Sequence, residues 1–169
     1  MTAGGALGAP LLALEASGLG RAMREWLWLY PAVEIVHIAG IALLFGSIAV
    51  LDLRLLGLSR EIPVRRLARH VLPWSAASFL LIIPSGLLMF TAHATEFIDS
   101  EVFILKMGLI MAAGVNAAVF HTTVFRSAGV WDAEEMRHLP PPPSVRASAA
   151  ISLLLWISVI ACGRLLAYF

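Results

Sequence analysis

The sequence predicts an all-α fold, a four-helix transmembrane bundle with a short N-terminal interfacial helix. Of the 169 residues, 60% are hydrophobic and 14% are charged, and the mean hydropathy is +0.87. That composition is too apolar for a soluble domain of this length. Four apolar runs are each long enough to cross a hydrocarbon core, which takes roughly 20 helical residues. These runs lack the alternation of apolar and polar residues that a transmembrane β-barrel requires.

The N-terminal segment, 1–28, is expected to lie along the membrane surface. Its stretch LLALEASGLGRAMREWLWLY brings Trp26, Trp28 and Tyr30 to the start of the first span, where aromatic residues commonly lie at the lipid headgroups. The transmembrane domain, 29–169, contains spans at about 29–51, 71–92, 102–125 and 147–169. Before the last span, four consecutive prolines, Pro140 to Pro143, predict a stiff polyproline spacer.

The distribution of Lys and Arg predicts the orientation of the spans. The loop 52–70 contains five arginines and the loop 126–146 contains three, whereas the connecting segment 93–101 (HATEFIDSE) is acidic. Because loops with a positive excess stay in the cytoplasm, both termini are expected on the outer, periplasmic side. The expected location is therefore the bacterial inner membrane, with the chain crossing it several times.

Several functional classes receive no support from the residues. The single cysteine, Cys162, lies in an apolar run, so a disulfide framework or a CxxC pair is excluded. A net charge of +1 without a basic patch gives no indication of nucleic-acid binding. No HExxH motif, phosphate-binding glycine loop or Ser-His-Asp arrangement is present, so no catalytic residue is assigned.

Two charged residues near the outer ends of their spans are predicted to form a structural ion pair. Glu34 lies in the first span and Lys106 in the third, at depths that agree to within roughly 2 Å at 1.5 Å per helical residue. A carboxylate in the membrane is costly alone and tolerable when it is paired. The alternative is that Glu34 reaches the outer interface by itself.

The histidines suggest a cofactor. By depth they form an inner pair, His70 with His121, and a looser outer pair, His37 with His93, whereas His138 lies in the proline-rich loop. Two imidazoles from facing helices are the usual axial ligands of a b-type heme in a helix bundle. Each of these histidines is also explained as an ordinary interfacial polar group.

Neighbouring residues have supporting roles in the same hypothesis. Arg54 and Arg126, at the inner helix ends, are candidates to hold heme propionates, while Asp52 is read as an interface charge that ends the first helix. Gly114, Ala117 and Ala118 share a helix face with His121. Such small residues make room for a cofactor, and they equally allow close helix packing. Asn116 is expected to hydrogen-bond another helix, with a backbone carbonyl freed by Pro84 as one candidate acceptor.

Three stretches, LYPAVEIVHIAGIALLFGSIAVLDLRLLGL, PSGLLMF and FILKMGLIMAAGVNAAVFH, resemble an uncharacterised family of small four-helix bacterial inner-membrane proteins. The resemblance runs from Leu27 to the end of the third span, and it implies the four-helix topology without implying a chemistry. More distantly, the layout is similar to four-helix membrane cytochromes b and to the membrane domains of copper-resistance proteins. Those are similarities of architecture, and architecture alone does not determine function.

The leading functional hypothesis is a b-type heme-binding membrane electron-transfer protein or cytochrome subunit with bis-histidine ligation. It would hold one or two hemes b, with a quinone as a further candidate ligand. The first alternative is a cofactor-free structural or assembly subunit of a larger membrane complex, or a homo-oligomer, because the loops are short and no soluble domain is present. The second is a proton or metal transporter with a relay formed by Glu34, His37 and Lys106.

Overall fold

The computed structural model describes residues 4–133, 139–166 and 168. Every regular element in these residues is helical. In chain order the helices are α1 (Gly4–Glu15), α2 (Gly18–Glu25), α3 (Leu29–Leu56), α4 (Val64–Ala92), α5 (Ala94–Asp99), α6 (Glu101–Val119), α7 (Ala128–Trp131) and α8 (Pro143–Leu165). The helices α3, α4, α6 and α8 are long and apolar enough to cross a membrane, which confirms a four-helix membrane fold.

The two ends of the bundle are named after the predicted orientation, which itself stays a prediction. The inner end carries the connection between α3 and α4, and the outer end carries α1, α2 and α5. Helix α3 packs between α4 and α8, and α6 packs against α8. Helices α4 and α6 make little contact with each other, so one side of the bundle is less closed than the others.

The N-terminal segment forms two helices where the sequence predicts one. The chain breaks at Ser17, whose hydroxyl accepts a hydrogen bond from the Gly20 N–H at 3.1 Å and so caps the start of α2. Arg24 of α2 donates to the carbonyl of Ala92 at the end of α4, at 2.9 Å. Glu15 Oε1 accepts from both the N–H and the hydroxyl of Thr95, each at 2.7 Å. Polar contacts therefore fasten α1 and α2 to the outer end of the bundle.

The first span is five residues longer than predicted, because it ends at Leu56 rather than at 51. Gly57 takes a left-handed conformation with φ of 111°, which lets its N–H bond to the Arg54 carbonyl while the Leu58 N–H bonds to the Leu53 carbonyl. This is the usual glycine C-cap of a helix. Asp52 and Arg54 consequently lie inside α3 rather than at its terminus.

The second span begins at Val64, seven residues earlier than predicted, and a distant aspartate caps it. The Val64 N–H donates to Asp132 Oδ2 at 2.6 Å, and Arg54 donates to Asp132 Oδ1 at 2.8 Å. Arg54 also donates to the carbonyls of Ile62 and Arg60, at 2.6 and 3.1 Å. We call Arg54, Asp132 and the Val64 N–H the inner latch. It joins α3, the start of α4 and the segment after α7.

The inner end of the bundle is also the best-packed part of the apolar core. Its buried residues come from three spans and the end of the third: Leu51, Leu55, Val64, Ala68, Val71, Phe120, Val145 and Ala149. At 25 cal/mol per Å² of buried apolar surface, such a cluster is the main stabilising contact available where the helices leave the lipid. The inner latch and this cluster together close the inner end.

The third span does not end as a regular α-helix. After α6 the chain forms a π-helical turn over Phe120–Val124 and a short 3₁₀ turn over Phe125–Ser127. The Thr122 hydroxyl donates to the Ala118 carbonyl at 2.8 Å, and the wider turn accommodates it. Single π-helical turns are rare and are often found at functional sites. This one contains His121.

Candidate ligand-binding cavity

A cavity of about 200 Å³ lies between the four spans and extends from the middle of the bundle toward its inner end. All four spans border it. Its lining residues are Leu44, Ser47, Ile48, Leu51, Asp52 and Leu55 of α3, Leu72, Ser75 and Phe79 of α4, Ala113, Gly114, Asn116, Ala117, Phe120 and His121 of the third span, and Ser148, Ser152 and Trp156 of α8. The wall is mostly apolar and aromatic, with a minority of polar groups.

Asp52 is the charged residue of this cavity. It is only 6% exposed, and its Oδ2 atom has no hydrogen-bond partner among the described residues. Ser152 of α8 is the polar side chain that interacts with the carboxylate from across the bundle. Arg54 lies two residues along the same helix, but its guanidinium is directed to Asp132 in the inner latch. Asp52 thus borders the cavity, has no counter-charge there and keeps one buried oxygen without a hydrogen-bond partner among the described residues.

Other polar groups of the cavity also lack protein partners. The hydroxyls of Ser47 and Ser75 and the imidazole of His121 make no hydrogen bond within residues 4–133 and 139–166. Serine hydroxyls inside membrane helices normally find a backbone carbonyl or a polar side chain. Asn116 and Ser148, by contrast, satisfy each other, with Asn116 Nδ2 donating to the Ser148 carbonyl at 3.1 Å.

This arrangement is suited to binding a cation, a proton or a hydrogen-bond donor. Leaving a charged group unpaired in a low-dielectric interior is expensive, so intramembrane carboxylates are usually paired or functional. Here the free oxygen of Asp52, two unpartnered hydroxyls and one unpartnered imidazole face the same space. The single negative charge of Asp52 favours a ligand that carries a positive charge or donates a proton.

Asn116 does hydrogen-bond another helix, as predicted, but the acceptor is not the predicted one. The side chain bonds to α8 rather than to a carbonyl near Pro84. The hydroxyl that meets the backbone near Pro84 is that of Ser85, which donates to the Leu81 carbonyl. Ser85 belongs to the same helix as Pro84, so this hydrogen bond lies within α4.

The two histidines of the inner pair of predicted heme ligands have different surroundings. His121 borders the cavity, and its ring contacts those of Phe120 and Phe125 at 5.6 and 5.5 Å between centroids. His70 lies on an exposed face of α4, borders no part of the cavity, and makes no hydrogen bond or ring contact with the described residues. Only one of the two imidazoles therefore faces the space that a cofactor would need.

The outer pair is also not brought together. His37 is half-buried between α3 and α4, with its Nδ1 atom 2.9 Å from the Ser85 hydroxyl. Because that hydroxyl donates to the Leu81 carbonyl, it accepts from His37 Nδ1–H, and this fixes the tautomer. His93 instead lies at the outer end, where Nδ1 is 3.2 Å from Glu96 and the ring meets that of Tyr30 edge-on.

The predicted ion pair between Glu34 and Lys106 does not form. Lys106 is half-buried and its ammonium lies beside Gly163 of α8, whereas Glu34 is exposed. The physical reason is helix order. Depth places the two residues at the same level, but α3 and α6 are not neighbours, because α8 packs against both of them. The ion pairs found within the described ranges are Arg54 with Asp132 and His93 with Glu96.

The remaining predicted residues have other surroundings. Arg54 belongs to the inner latch, and Arg126 is exposed after the π-helical turn. His138 lies outside the described residues. In the part of the chain that the structure describes, no group of three or more His, Cys, Asp or Glu side chains is placed to hold a metal ion.

Asp52 is the site residue that the sequence interpretation misassigned. An apolar run that ends at Leu51 predicts that Asp52 is the charge at the end of the first helix, whereas the helix continues to Leu56. The signal that identifies it is the residues that follow: Leu53, Leu55 and Leu56 continue the apolar pattern for another turn. A carboxylate with leucines on both sides of it is inside a span, not at its end.

The comparisons with known proteins agree with the architecture and leave the chemistry open. No curated protein and no solved structure matches the chain. A model of a family of unknown function, DUF6644, matches residues 14–169, which include all four spans. The chain therefore belongs to this family of unknown function, DUF6644.

Proposed function

We propose that this protein binds a cation or a proton at Asp52 in the four-helix cavity, as the binding step of a transporter or sensor in the bacterial inner membrane. The observation that carries the proposal is that Asp52, which lines the cavity, has a buried carboxylate oxygen without a hydrogen-bond partner among the described residues. This agrees with the transport alternative of the sequence analysis, with the charge now at the inner half rather than at Glu34, His37 and Lys106.

The protein is energetically disfavoured when neither a cation nor a proton is bound at Asp52. An unpaired buried carboxylate costs several kcal/mol, so the protein either binds a counter-ion or takes up a proton there. The hydroxyls of Ser47, Ser75 and Ser152 supply oxygen ligands of the type that hard cations prefer. Asp52 is the acidic side chain among those that line the cavity, so a proton and a cation compete for the same carboxylate.

The test is ligand-dependent stability in lipid nanodiscs. The thermal midpoint of the wild type is measured from pH 5 to 9, in NaCl, KCl and choline chloride, beside that of Asp52→Asn. Binding at ten times the Kd stabilises the folded state by about 1.4 kcal/mol, so a raised midpoint is expected in the wild type and not in the variant. Asp99→Asn, at an exposed position of α5, is the matched control. Equal responses of wild type and Asp52→Asn would contradict the proposal.

An electron-transfer role is a second proposal, and it is favoured by one observation. His121 lies on the π-helical turn at the border of the cavity, beside the small residues Gly114 and Ala117. The residues as placed do not fit bis-histidine ligation of heme b by His70 and His121, because His70 is outside the cavity. Its test is the optical spectrum of protein purified from heme-supplied cells, oxidised and reduced with dithionite. A sample without a Soret band would exclude it.

Assembly with partner subunits, or with further copies of the chain, also stays a proposal. Many large apolar side chains of the spans are exposed, among them Leu80 and Leu154 at 77% and 66%. Lipid covers such residues as well as a protein partner does. Purification in a mild detergent, with mass measurement of the intact complex, separates a monomer in lipid from a fixed assembly.

A further inference from the structure

We infer that the ligand of the Asp52 cavity is a lipophilic organic cation, which enters from the lipid between α4 and α6. The inference rests on the proposed function and names its ligand class. Three features lead to it: the side on which the cavity is open, the closure of the inner end, and the chemistry of the wall.

The cavity opens on the side where α4 and α6 face each other. Four of the six α3 residues that line the cavity, Leu44, Leu51, Asp52 and Leu55, are each no more than 6% exposed. On the opposite side the lining residues Phe79, Gly114 and Ala117 are exposed, as is His121. Because α4 and α6 make little contact, the space between them leads out of the bundle. These residues lie within the spans, so the opening meets acyl chains rather than water.

The inner end gives no comparable access. Leu55 and Phe120, at 1% and 6% exposure, belong to the buried cluster between the cavity and the inner surface. Beyond that cluster, Arg54 and Asp132 bind each other and the start of α4. A ligand arriving from the inner aqueous side would have to displace both. Entry through the α4–α6 opening requires no change in either.

The wall selects an organic cation over an inorganic one. Phe79, Phe120 and Trp156 border the same space as the Asp52 carboxylate. Aromatic faces attract quaternary ammonium groups and other diffuse cations, and apolar substituents gain free energy when they leave water. A small hydrated ion must give up its water to enter, and the aromatic walls replace none of the oxygen ligands that it loses. The single carboxylate of Asp52 balances one positive charge on the ligand.

Gly114 allows the opening to be blocked without disturbing the fold. A Cβ atom built on Gly114 meets no atom within 4 Å, so Gly114→Leu fits and extends into the opening. Gly108 lies on the same helix, has equally free surroundings and does not line the cavity. Gly108→Leu is therefore the matched control for added bulk on α6.

The experiment measures binding of benzyltrimethylammonium, an aromatic quaternary ammonium cation small enough for a cavity of about 200 Å³, to the full chain in nanodiscs by equilibrium dialysis against empty nanodiscs. We expect the wild type and Gly108→Leu to bind alike, and Asp52→Asn and Gly114→Leu to bind on the order of tenfold more weakly or worse. Asp52→Glu, which keeps the charge, should retain binding. This last variant separates loss of charge from loss of folding.

The outcomes distinguish this inference from the proposed function. If Asp52-dependent stabilisation by Na⁺, K⁺ or pH is found while benzyltrimethylammonium does not bind, the inference is overturned and the proposed function stands. If neither is found, both fail. If Gly114→Cys chains cross-link to one another in native membranes, a second copy covers the opening, and entry from lipid is overturned.

Discussion

Two buried aspartates lie at the inner half of the molecule, and their surroundings are opposite. In the inner latch, the Asp132 side chain is 5% exposed, and both of its oxygens accept hydrogen bonds, one from Arg54 and one from the Val64 N–H. In the cavity, Asp52 is 6% exposed, and one of its oxygens has no partner in the described residues. Only Leu53 separates Asp52 from the arginine that serves Asp132.

The comparison separates a structural carboxylate from a functional one. The chain brings three segments together to satisfy Asp132, so it is able to satisfy a buried acid where stability is concerned. Arg54 is close to Asp52 in sequence and is directed elsewhere. A buried carboxylate that keeps an unpartnered oxygen while a neighbouring arginine serves another acid is more simply explained as a binding group than as a packing defect.

The largest expected effect is that of breaking the inner latch. Asp132→Asn removes the carboxylate that pairs with the buried Arg54 guanidinium, and removal of one partner of a buried pair costs about 3–5 kcal/mol. The free energy of unfolding in SDS titrations of mixed micelles measures this. The double variant Arg54→Met, Asp132→Leu should recover much of the loss, because no charge remains unpaired. A cost below about 1 kcal/mol for Asp132→Asn would mean that the latch is not the structural element described here.

At Asp52, by contrast, a substitution is expected to raise the free energy of unfolding. Asp52→Asn removes a buried charge with an unpartnered oxygen and keeps the shape of the side chain, so the unfolding free energy should rise by up to about 3 kcal/mol. The same titration measures it in the absence of added ligand. Substitutions at functional sites often raise stability while they abolish binding. A destabilised Asp52→Asn would show that the carboxylate is held by interactions of its own.

The sequence predicted the four spans and missed their inner ends for a definable reason. Apolar runs report which residues lie in lipid, and they identified all four helices. The ends of α3 and α4 depend on Gly57 and on the bond from Val64 to Asp132, which lies 68 residues further along the chain. A cap supplied from such a distance leaves no local sequence pattern. The apolar runs therefore predict a loop, 52–70, that is longer than the observed connection between Leu56 and Val64.

The site was harder to predict because depth along a helix says nothing about rotation or about neighbours. His70 and His121 share a level, but only His121 faces the cavity. Glu34 and Lys106 also share a level, but α8 packs against the helices of both. Which spans are adjacent depends on packing contacts such as Gly40 against Leu81 and Ile82. Single-sequence periodicity does not encode that choice.

A smaller effect is expected at the closed side of the bundle. A Cβ atom at Gly40 would lie 2.8 Å from Ile82 Cγ1 and 3.0 Å from Leu81 Cβ, so Gly40→Ala forces α3 and α4 apart and should cost about 2 kcal/mol. Gly46→Ala, on the same helix with no atom within 4 Å, is the control and should be neutral or gain up to about 1 kcal/mol from helix propensity. Equal unfolding free energies for the two variants would show that the α3–α4 contact is no tighter than the open α4–α6 side.

The smallest effect concerns a third carboxylate, one that is paired at the surface. Hydrogen bonds from the backbone N–H and then the hydroxyl of Thr95 lower the pKa of Glu15 below the ordinary value for a glutamate. Glu15→Gln weakens the cap of α5 and should cost about 1 kcal/mol at pH 7. Because the folded pKa is the lower one, the stabilisation is present above the ordinary glutamate pKa of about 4.3 and is lost as the pH falls through the folded value. Hydrogen exchange of α1 and α2, measured from pH 7 down to 3, should therefore show less protection in acid for the wild type. Glu15→Gln should have low protection throughout, and Glu25→Gln, at an exposed position of α2, should follow the wild type.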